Sequence, residues 1–246
     1  MPQTRTLPAI ANARSGILDR IGDAAERAGR DPASVTVVAV TKTVEAVRIR
    51  EAIAAGFTAL AENRVQERAA KVAEIDAVST WPVGEAPEWH LVGPLQSNKA
   101  RRAVELFDVI ETVDSLELAQ RLDRIAAEVR PDARLRVLLQ VNVDDDPAKA
   151  GFSPMTLEAA LPPILDLPAL EVSGLMTVGR LVDSAEAARP TFVALRELSE
   201  RLRARDGRLG RDLSMGMSED YAVAVEEGAT HVRIGRAIFG ARPAVR

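Results

Sequence analysis

The stretch Val35-Thr-Val-Val-Ala-Val-Thr-Lys42 is apolar at most positions and ends in a lysine. A largely apolar run of this length is typical of a strand that is covered on both faces, as in a parallel sheet. Seven further strand-like runs follow at intervals long enough for a helix. The sequence therefore predicts eight strands, at residues 35–40, 57–61, 89–93, 107–112, 135–143, 170–178, 212–216 and 231–235.

Helical patterns occupy the intervals between these strands. They cover residues 44–55, 65–75, 97–106, 115–129, 155–165, 184–205 and 218–227, and an amphipathic pattern at 9–29 precedes the first strand. Eight strands alternating with helices, within 246 residues and without a break in composition, predict an α/β fold: one (β/α)8 TIM barrel with an extra N-terminal helix. We expect residues 1–246 to form a single domain, residues 1–8 to be flexible, and the irregular segment 76–88 to be a surface excursion.

A doubly wound open sheet is the main alternative, because it shows the same alternation of strands and helices. Such folds often carry a Gly-x-Gly-x-x-Gly fingerprint directly after the first strand. Here that position holds Lys42, and no such fingerprint follows it. The sequence therefore favours the closed barrel.

Composition narrows the classes of function. Apolar residues make up 47% of the chain and charged residues 28%, which is ordinary for a globular protein. A net charge of −4 gives no indication of a nucleic-acid or membrane-surface partner, and no apolar run approaches the ~20 residues that span a bilayer. Without cysteine, disulfides and zinc–thiolate sites are excluded, and two histidines argue against a histidine-based metal site. A cytoplasmic location is the expectation.

Lysine is rare in this chain, which has four lysines against 28 arginines. Amine chemistry is open to lysine and closed to the guanidinium group, so each lysine is a candidate reactive group. We expect Lys71 on a solvated helix face, Lys99 in the first turn of a helix, and Lys149 in a polar loop. Only Lys42 ends an apolar strand, where desolvation can make an amine nucleophilic. An exposed Lys42 at a strand end is the alternative interpretation.

The last two predicted strands end in glycine-rich segments, Ser214-Met-Gly-Met-Ser218 and Arg233-Ile-Gly-Arg236. In barrels, the loops after strands seven and eight often bind phosphate. Gly216 and Gly235 would let backbone N–H groups approach phosphate oxygens, and the hydroxyls of Ser214 and Ser218 could add donors. In the alternative interpretation, Gly216 only turns the chain and Ser218 caps the next helix.

Two polar residues fall inside predicted strands. Strand alternation places Arg233 on the face opposite Val232 and Ile234, so Arg233 is expected to point into the barrel. A buried guanidinium needs an acceptor, either a core carboxylate or a ligand atom such as a pyridine nitrogen. His90 lies within the third strand, where it is either a hydrogen-bonded core residue or part of a site.

A primary amine and a phosphate cradle at the mouth of one barrel suit an aldehyde that carries a phosphate. Pyridoxal 5′-phosphate is the obvious candidate for that ligand. A sugar phosphate is a weaker alternative. Some barrel enzymes, such as aldolases, bind sugar phosphates through a lysine, but no motif in this sequence supports that ligand.

Six segments, in this order along the chain, closely resemble motifs of the pyridoxal phosphate homeostasis proteins. The resemblance runs from about Val35 to Arg242, and several of its motifs are long enough to be specific. The segments are Ala39-Val-Thr-Lys-Thr43, Glu62-Asn63 with Val65-Gln-Glu67, Trp89-His-Leu-Val-Gly-Pro-Leu-Gln-Ser-Asn-Lys99, Gly174-Leu-Met-Thr177, Leu213-Ser-Met-Gly-Met-Ser-Glu-Asp220 and Val232-Arg-Ile-Gly-Arg-Ala-Ile-Phe-Gly240.

The resemblance implies the barrel of the alanine racemase N-terminal domain, with pyridoxal 5′-phosphate bound covalently to Lys42 as a Schiff base. It also implies that Asn63 and His90 line the pocket, that Arg233 faces the pyridine nitrogen, and that the phosphate lies among the last two loops. The cofactor-binding residues expected on this basis are Lys42, Asn63, His90, Met176, Ser214, Met215, Gly216, Ser218, Arg233, Gly235 and Arg236. No metal is expected.

Three departures from the family pattern affect individual contacts. Ala61 replaces a usual glycine and Arg64 a frequent aromatic residue, so ring packing near Asn63 does not carry over directly. Arg236 stands where relatives often have threonine, so only its backbone N–H can be expected to serve the phosphate.

Two functions are compatible with this site. The first is a carrier that holds pyridoxal 5′-phosphate for vitamin B6 homeostasis and passes it to dependent apoenzymes, as a monomer or weak dimer. The second is a racemase-type enzyme that removes an α-proton from an amino acid. Racemisation needs a second base, which in alanine racemases is a tyrosine from another domain, and this chain has one tyrosine, Tyr221, within a predicted helix. An arginine at the pyridine nitrogen would also weaken the ring as an electron sink. The carrier is therefore favoured.

Overall fold

The computed structural model describes residues 7–76, 86–180 and 182–240. Within these ranges, eight parallel strands pair in chain order and the eighth pairs with the first, so the sheet closes into a barrel. The predicted barrel is confirmed, and the open sheet is excluded because its edge strands would not pair. The strands are β1 (Thr36–Val40), β2 (Ala59–Glu62), β3 (Glu88–Leu91), β4 (Val109–Val113), β5 (Leu135–Gln140), β6 (Leu170–Met176), β7 (Asp212–Met217) and β8 (His231–Ile234).

Helices alternate with the strands, and each predicted helix is present, with ends that shift by a few residues. A short helix after β8 was not predicted. None of the helices in the described ranges is both long and apolar enough to cross a membrane. The helices are α1 (Leu7–Arg27), α2 (Ala46–Ala54), α3 (Val65–Asp76), α4 (Ala100–Leu106), α5 (Leu116–Val129), α6 (Pro154–Leu165), α7 (Arg189–Arg205), α8 (Tyr221–Glu226) and α9 (Arg236–Phe239).

Two predictions concern the N-terminus and the longest loop. Leu7 and Pro8, the last two residues of the segment expected to be flexible, lie in the first turn of α1. Residues 1–6 lie outside the described ranges. The expected surface excursion at residues 76–88 also falls largely outside them, at residues 77–85.

Serine caps explain where two of the helices begin. Ser115 Oγ accepts a hydrogen bond from the Leu118 N–H at the start of α5, and Ser153 Oγ accepts one from the Thr156 N–H at the start of α6. These N–H groups have no partner inside the first helical turn, so replacing such a cap by alanine typically costs about 1 kcal/mol. The caps therefore fix the points at which the chain turns from loop into helix.

The N-terminal helix completes the helical layer beside β8. α9 contains only four residues and cannot cover the outer face of its strand, whereas α1 contains 21. α1 packs against α2, α8 and α9, and its buried residues Ile10, Ile17 and Ile21 belong to the main hydrophobic core. The extra helix predicted from the sequence thus has a structural role, which is to close the ring of helices around the barrel.

The core has two layers of different character. The main layer lies between strands and helices and is almost entirely apolar. Inside the barrel, the apolar side chains of the described residues form two small groups, one around Val38, Ala59 and Ala61 and the other around Val109, Leu138 and Met176. Polar side chains occupy much of the remaining interior, and the candidate site is built above and around them.

Candidate functional site

Lys42 lies in a tight turn just beyond the carboxyl end of β1. Its side chain is half-buried, and it continues the alternation that directs Val38 and Val40 into the barrel. The next residue, Thr43, has a φ of 63°, in the left-handed region that β-branched residues rarely adopt. The Val44 N–H donates to the Thr41 carbonyl at 2.9 Å and closes the turn. The candidate amine is therefore held in a defined and strained loop.

A second polar group stands directly behind this turn, between the strand ends and α3. Lys71 Nζ donates to Glu62 Oε1 at 2.6 Å and to the Thr41 carbonyl oxygen at 2.9 Å. The Thr41 hydroxyl donates to Glu62 Oε1 at 2.7 Å. We call Thr41, Glu62 and Lys71 the outer cluster. The expectation that Lys71 lies on a solvated face is wrong, because the side chain is 14% exposed and paired with a fully buried carboxylate.

Burial dominates the electrostatics of the outer cluster. It raises the pKa of Glu62 to about 7, against the opposing effects of the Lys71 charge and the hydrogen bonds from Lys71 and Thr41. One cation is not enough to offset the loss of water around this carboxylate. Near neutral pH, Glu62 is thus close to the midpoint between its charged and neutral forms.

The ends of β7, β8 and β1 form a continuous arc at the mouth of the barrel. β8 pairs with β1 through Val38 and Arg233, and a Cβ placed on Gly235 would lie 3.3 Å from the Val40 carbonyl oxygen. Gly235 therefore sits against the last residue of β1, two positions before Lys42. This adjacency brings the eighth-strand loop next to the candidate amine.

Gly216 adopts a conformation that only glycine accommodates well. Its φ is 88°, and a Cβ there would lie 2.5 Å from the Ala224 Cβ, which is closer than real contacts allow. The Met217 N–H donates to Asp220 Oδ1 at 2.6 Å and closes the loop after this glycine. Gly216 thus lets the end of β7 turn closely against α8, and the next N–H group is held by Asp220.

Two further residues of the seventh-strand segment, Met215 and Ser218, have different surroundings. The Met215 side chain is fully buried in the layer between barrel and helices, so only its backbone is available to a ligand at the mouth. Ser218 is half-buried in the turn between β7 and α8. It does not cap the helix, because α8 begins at Tyr221 with Asp220 in the N-cap position. The suggestion that Ser218 is a helix cap is therefore wrong.

Arg236 opens α9, and its side chain is 61% exposed. Its guanidinium pairs with Glu219 at 3.2 Å, which links the loops after β7 and β8. The backbone N–H of the first helical residue has no acceptor within the helix. This agrees with the expectation that only the backbone of Arg236 is suited to a phosphate.

Arg233 enters the barrel interior, as its position in the strand predicts. Nη1 donates to Ser214 Oγ at 2.6 Å, and Nη2 donates to the Thr177 carbonyl oxygen at 2.6 Å. The Ser214 hydroxyl in turn donates to Glu111 Oε2 at 2.5 Å. Its single proton is used in that bond, so the structure differs from the expectation that this hydroxyl serves the phosphate. Ser214 holds Arg233 instead.

His90 lies below the mouth, level with Ala61, and is fully buried. Nδ1 is 2.7 Å from Glu111 Oε1, and Nε2 is 2.9 Å from Glu88 Oε2. We call Glu88, His90, Glu111, Ser214 and Arg233 the inner cluster. His90 therefore matches the interpretation of a hydrogen-bonded core residue, and its two ring nitrogens are occupied by carboxylates.

Charges in the inner cluster compensate one another. Burial alone would raise the pKa of Glu111, but the hydrogen bond from His90 and the positive charges of His90 and Arg233 lower it to about 2. Burial likewise opposes the charge on His90, yet its two carboxylate partners raise its pKa to about 9. Both groups are therefore charged at neutral pH, and Glu111 is joined to Arg233 through Ser214, with 3.9 Å between the charged atoms.

Asn63 and Met176 complete the set of predicted residues. Asn63 follows β2 and is half-buried, and its backbone lies so close to Gly93 that a Cβ there would be 2.2 Å from the Asn63 carbonyl oxygen. Met176 is fully buried inside the barrel with Val109 and Leu138. The structure thus brings Lys42, Asn63, Gly216 and Gly235 to one end of the barrel, whereas His90 and Met176 lie deeper.

Sequence reasoning missed the carboxylates that organise the site. Glu111 lies within β4 among apolar neighbours, and its position inside the run Val-Ile-Glu-Thr-Val was a usable signal. Glu62 was noted only as part of a strand end, and its pairing with Lys71 joins residues nine apart on different elements. Among the described residues, no group of three or more potential ligands could hold a metal ion.

The chemistry of this mouth fits a phosphorylated aldehyde. Lys42 supplies an amine, the glycine loops after β7 and β8 supply backbone N–H groups, and Arg233 supplies a buried guanidinium beneath them. A Cβ at Gly216 would collide with Ala224 and Tyr221, so this glycine lets α8 pack closely against the end of β7. The amine, the glycine loops and the guanidinium come from adjacent strands, so one small molecule can meet all of them.

The chain is similar in sequence to a known protein family and to several curated proteins that share one name. The family described as alanine racemase, N-terminal domain, matches residues 17–243. A pyridoxal phosphate homeostasis protein of Pseudomonas aeruginosa is 43% identical over 236 residues, which cover 95% of this chain and 96% of that protein. Its counterpart in Escherichia coli K12 is 40% identical over 238 residues, covering 95% of this chain and 97% of the relative.

Solved structures give the same result. PipY of Synechococcus elongatus, solved with PLP bound, is 40% identical with a TM-score of 0.80, covering 94% of this chain and all of that chain. Alanine racemase of Clostridium difficile is 15% identical with a TM-score of 0.67, covering 92% of this chain and 60% of the racemase, and this likeness shows the fold alone. The chain therefore belongs to the family of pyridoxal phosphate homeostasis proteins, built on the alanine racemase N-terminal domain.

Proposed function

We propose that this protein binds pyridoxal 5′-phosphate at the mouth of the barrel, through Lys42, and serves the homeostasis of that cofactor. The observation that carries the proposal is that three neighbouring strands bring their ends together. Half-buried Lys42 follows β1, Gly216 lies at the end of β7, and Gly235 follows β8. A relative that is 40% identical over nearly the whole chain was solved with PLP bound, which supports the same ligand here.

When bound, pyridoxal phosphate supplies an aldehyde and an electron-withdrawing pyridine ring. Lys42 would hold the aldehyde end of the cofactor through its amine. The backbone N–H groups of the segments after Gly216 and Gly235 would hold the phosphate. Arg233 would serve as a donor toward the pyridine nitrogen, and Asn63 would line the pocket beside Lys42.

The inner cluster supports a carrier over a racemase-type enzyme. Arg233 is held by Ser214, Thr177 and Glu111. If it faces the pyridine nitrogen, as proposed, a guanidinium would stand where an acid would otherwise protonate the ring. The tyrosine of this chain is also poorly placed to be the second base that racemisation needs. Tyr221 is buried in the main core and bonds to Arg20 on α1, which turns its hydroxyl away from chemistry at the mouth.

Borohydride trapping tests the proposed attachment. The purified protein mixed with pyridoxal phosphate should show a visible absorbance band, and reduction should fix the cofactor irreversibly to the peptide that contains Lys42. Lys42→Ala should lose the reducible band, whereas Lys99→Ala, in the turn before α4, should keep it. A Lys42→Ala protein that retained a reducible band at the same stoichiometry would refute the assignment.

Exchange of the α-proton separates carrier from enzyme. With the cofactor bound, alanine or serine in deuterium oxide should take up deuterium no faster than with free pyridoxal phosphate at the same concentration. Sustained exchange at enzymic rates would contradict the carrier and favour the racemase-type enzyme.

Delivery of the cofactor to dependent apoenzymes, in the cytoplasm and by a monomer or weak dimer, belongs to the same proposal. The absence of cysteine is consistent with a reducing compartment. An apoenzyme mixed with the cofactor-loaded protein should recover activity faster than the same apoenzyme mixed with free cofactor. Equal rates of recovery would contradict delivery.

A further inference from the structure

We propose that Lys71, held in place by Glu62, is the positioning residue that anchors the turn carrying Lys42. This inference rests on the proposed function, because its purpose is to set the amine that receives the cofactor. Neither residue reaches the mouth itself, since both lie between the strand ends and α3.

The anchor acts on one backbone atom. The Thr41 carbonyl oxygen accepts two hydrogen bonds, from the Val44 N–H at 2.9 Å and from Lys71 Nζ at 2.9 Å. The first bond closes the four-residue turn in which Lys42 and Thr43 are the central residues. The second ties that turn to α3. Both lone pairs of the carbonyl are thus used, one within the turn and one by the lysine.

The turn needs an external anchor because its conformation is strained. Thr43 has a φ of 63°, and a β-branched residue is disfavoured there unless surrounding structure holds it. The Thr41 hydroxyl adds two contacts, to the Ala61 carbonyl oxygen at 3.0 Å and to Glu62 Oε1 at 2.7 Å. Lys71 therefore binds the backbone of Thr41, the residue before Lys42, and Glu62 binds its side chain.

An ammonium group suits this task better than a neutral donor. Lys71 spans from α3 to two acceptors at once, and its bond to the carboxylate is charge-assisted and short at 2.6 Å. Glu62, fully buried and fixed by Thr41, orients the lysine so that its remaining proton donors meet the Thr41 carbonyl. A turn that is already fixed loses less conformational freedom when the cofactor binds, so affinity is higher.

Lys71→Met tests the anchor, because it removes the ammonium while keeping the length of the apolar stem. We expect amide hydrogen exchange at Val44, whose N–H closes the turn, to rise roughly tenfold or more in the cofactor-free protein, as expected when a restrained turn opens locally. The dissociation constant for pyridoxal phosphate should rise about tenfold, the effect of losing a preorganised site. Lys99→Met is the matched control and should change neither quantity.

The double variant Glu62→Gln/Lys71→Met separates anchoring from the burial of an unpaired carboxylate. If Lys71 anchors the turn, the double variant shows the same fast exchange and weak binding as Lys71→Met. Recovery of both quantities in the double variant would overturn the proposal, since the defect would then come from the orphaned Glu62. Unchanged exchange at Val44 in a folded Lys71→Met protein would overturn it as well.

Failure of this inference is distinguishable from failure of the proposed function. The exchange measurement is made without cofactor and reports on the turn alone. Lys42→Ala tests attachment independently. A Lys71→Met protein with a loosened turn and unchanged cofactor affinity would preserve the anchor as a structural feature and contradict its role in binding.

Discussion

The inner and outer clusters each bury a glutamate completely, yet the two carboxylates are in opposite electrostatic states. Glu111 has His90 and Arg233 nearby and a pKa of about 2, whereas Glu62 has Lys71 alone as a cationic partner and a pKa of about 7. Both side chains are shielded from solvent, and the hydrogen bond between Glu67 and Glu62 raises the pKa of Glu62 further. The number and charge of the partners therefore account for much of the difference. A buried carboxylate is therefore not by itself evidence of a fixed charge.

The difference also separates what the two clusters do. The inner cluster is a compensated network that keeps Arg233 in one orientation inside the barrel, and removing a partner leaves a buried charge without compensation. The outer cluster lies close to its titration midpoint and holds a strained turn by hydrogen bonds. We therefore expect the inner cluster to matter most for stability and the outer cluster to matter most for the geometry at Lys42.

The largest expected effect follows from breaking the inner cluster. Glu111→Gln removes the anion between His90 and Arg233 and should lower the free energy of unfolding by about 3–5 kcal/mol, the usual result of breaking a buried ion pair. Urea unfolding gives the value. As a control, Glu128→Gln removes an exposed partner of Arg101 and should cost less than about 1 kcal/mol. If both variants lost the same free energy of unfolding, the buried pair would contribute no more to stability than the surface pair, and the prediction would be wrong.

The pH dependence of stability should separate the clusters. The folded pKa of His90 is raised from 6.5 to about 9, so its contribution is present below pH 6.5 and is lost as pH rises through 9. Such a shift corresponds to about 3 kcal/mol. The raised pKa of Glu62 makes its contribution disappear earlier, as pH rises from 4.5 through 7.

Urea unfolding across this range, on the native protein and on Glu62→Gln, measures both contributions. The difference between the two proteins should develop between pH 4.5 and 7 and stay constant above it. A decline from pH 6.5 to 9 should remain in Glu62→Gln. Flat stability over that alkaline range would mean that His90 is neutral in the fold.

A smaller effect is expected where the inner cluster meets the cofactor site. Ser214→Ala removes the hydroxyl that joins Arg233 to Glu111 and should cost about 1–3 kcal/mol of stability, the penalty for a buried group that loses its partner. Cofactor affinity should fall too, because Arg233 keeps the Thr177 carbonyl but loses its second hydrogen bond. Thermal unfolding and fluorescence titration measure the two. Lower stability with unchanged affinity would show that Ser214 does not position Arg233 for the ligand.

The smallest loss of stability should come from Glu62→Gln. Because the burial of this carboxylate already opposes its charge, the neutral amide should lower the free energy of unfolding by no more than about 1 kcal/mol near neutral pH. The amide oxygen can still accept from Lys71. Urea unfolding beside Glu111→Gln gives the direct comparison, and a loss as large as that of Glu111→Gln would show that the two glutamates are equivalent after all.

Much of the fold was predictable because the signals are local. Apolar runs such as Val-Thr-Val-Val-Ala-Val, repeated at helix-length intervals, specify strands and helices through short-range periodicity. The place of Lys42 at a strand end, and of Gly216 and Gly235 in the last two loops, followed from the same pattern. The inward direction of Arg233 followed from strand alternation.

The sequence by itself determined which residues lie at the mouth of the barrel, because strand ends are set by periodicity along the chain. Only the tertiary structure decided their partners. Lys71 was expected in solvent, and Ser214 was expected at a phosphate, but α3 carries the first to Glu62 and β7 directs the second to Glu111 and Arg233. Such pairings depend on how elements far apart in sequence pack in space, and no local pattern records them.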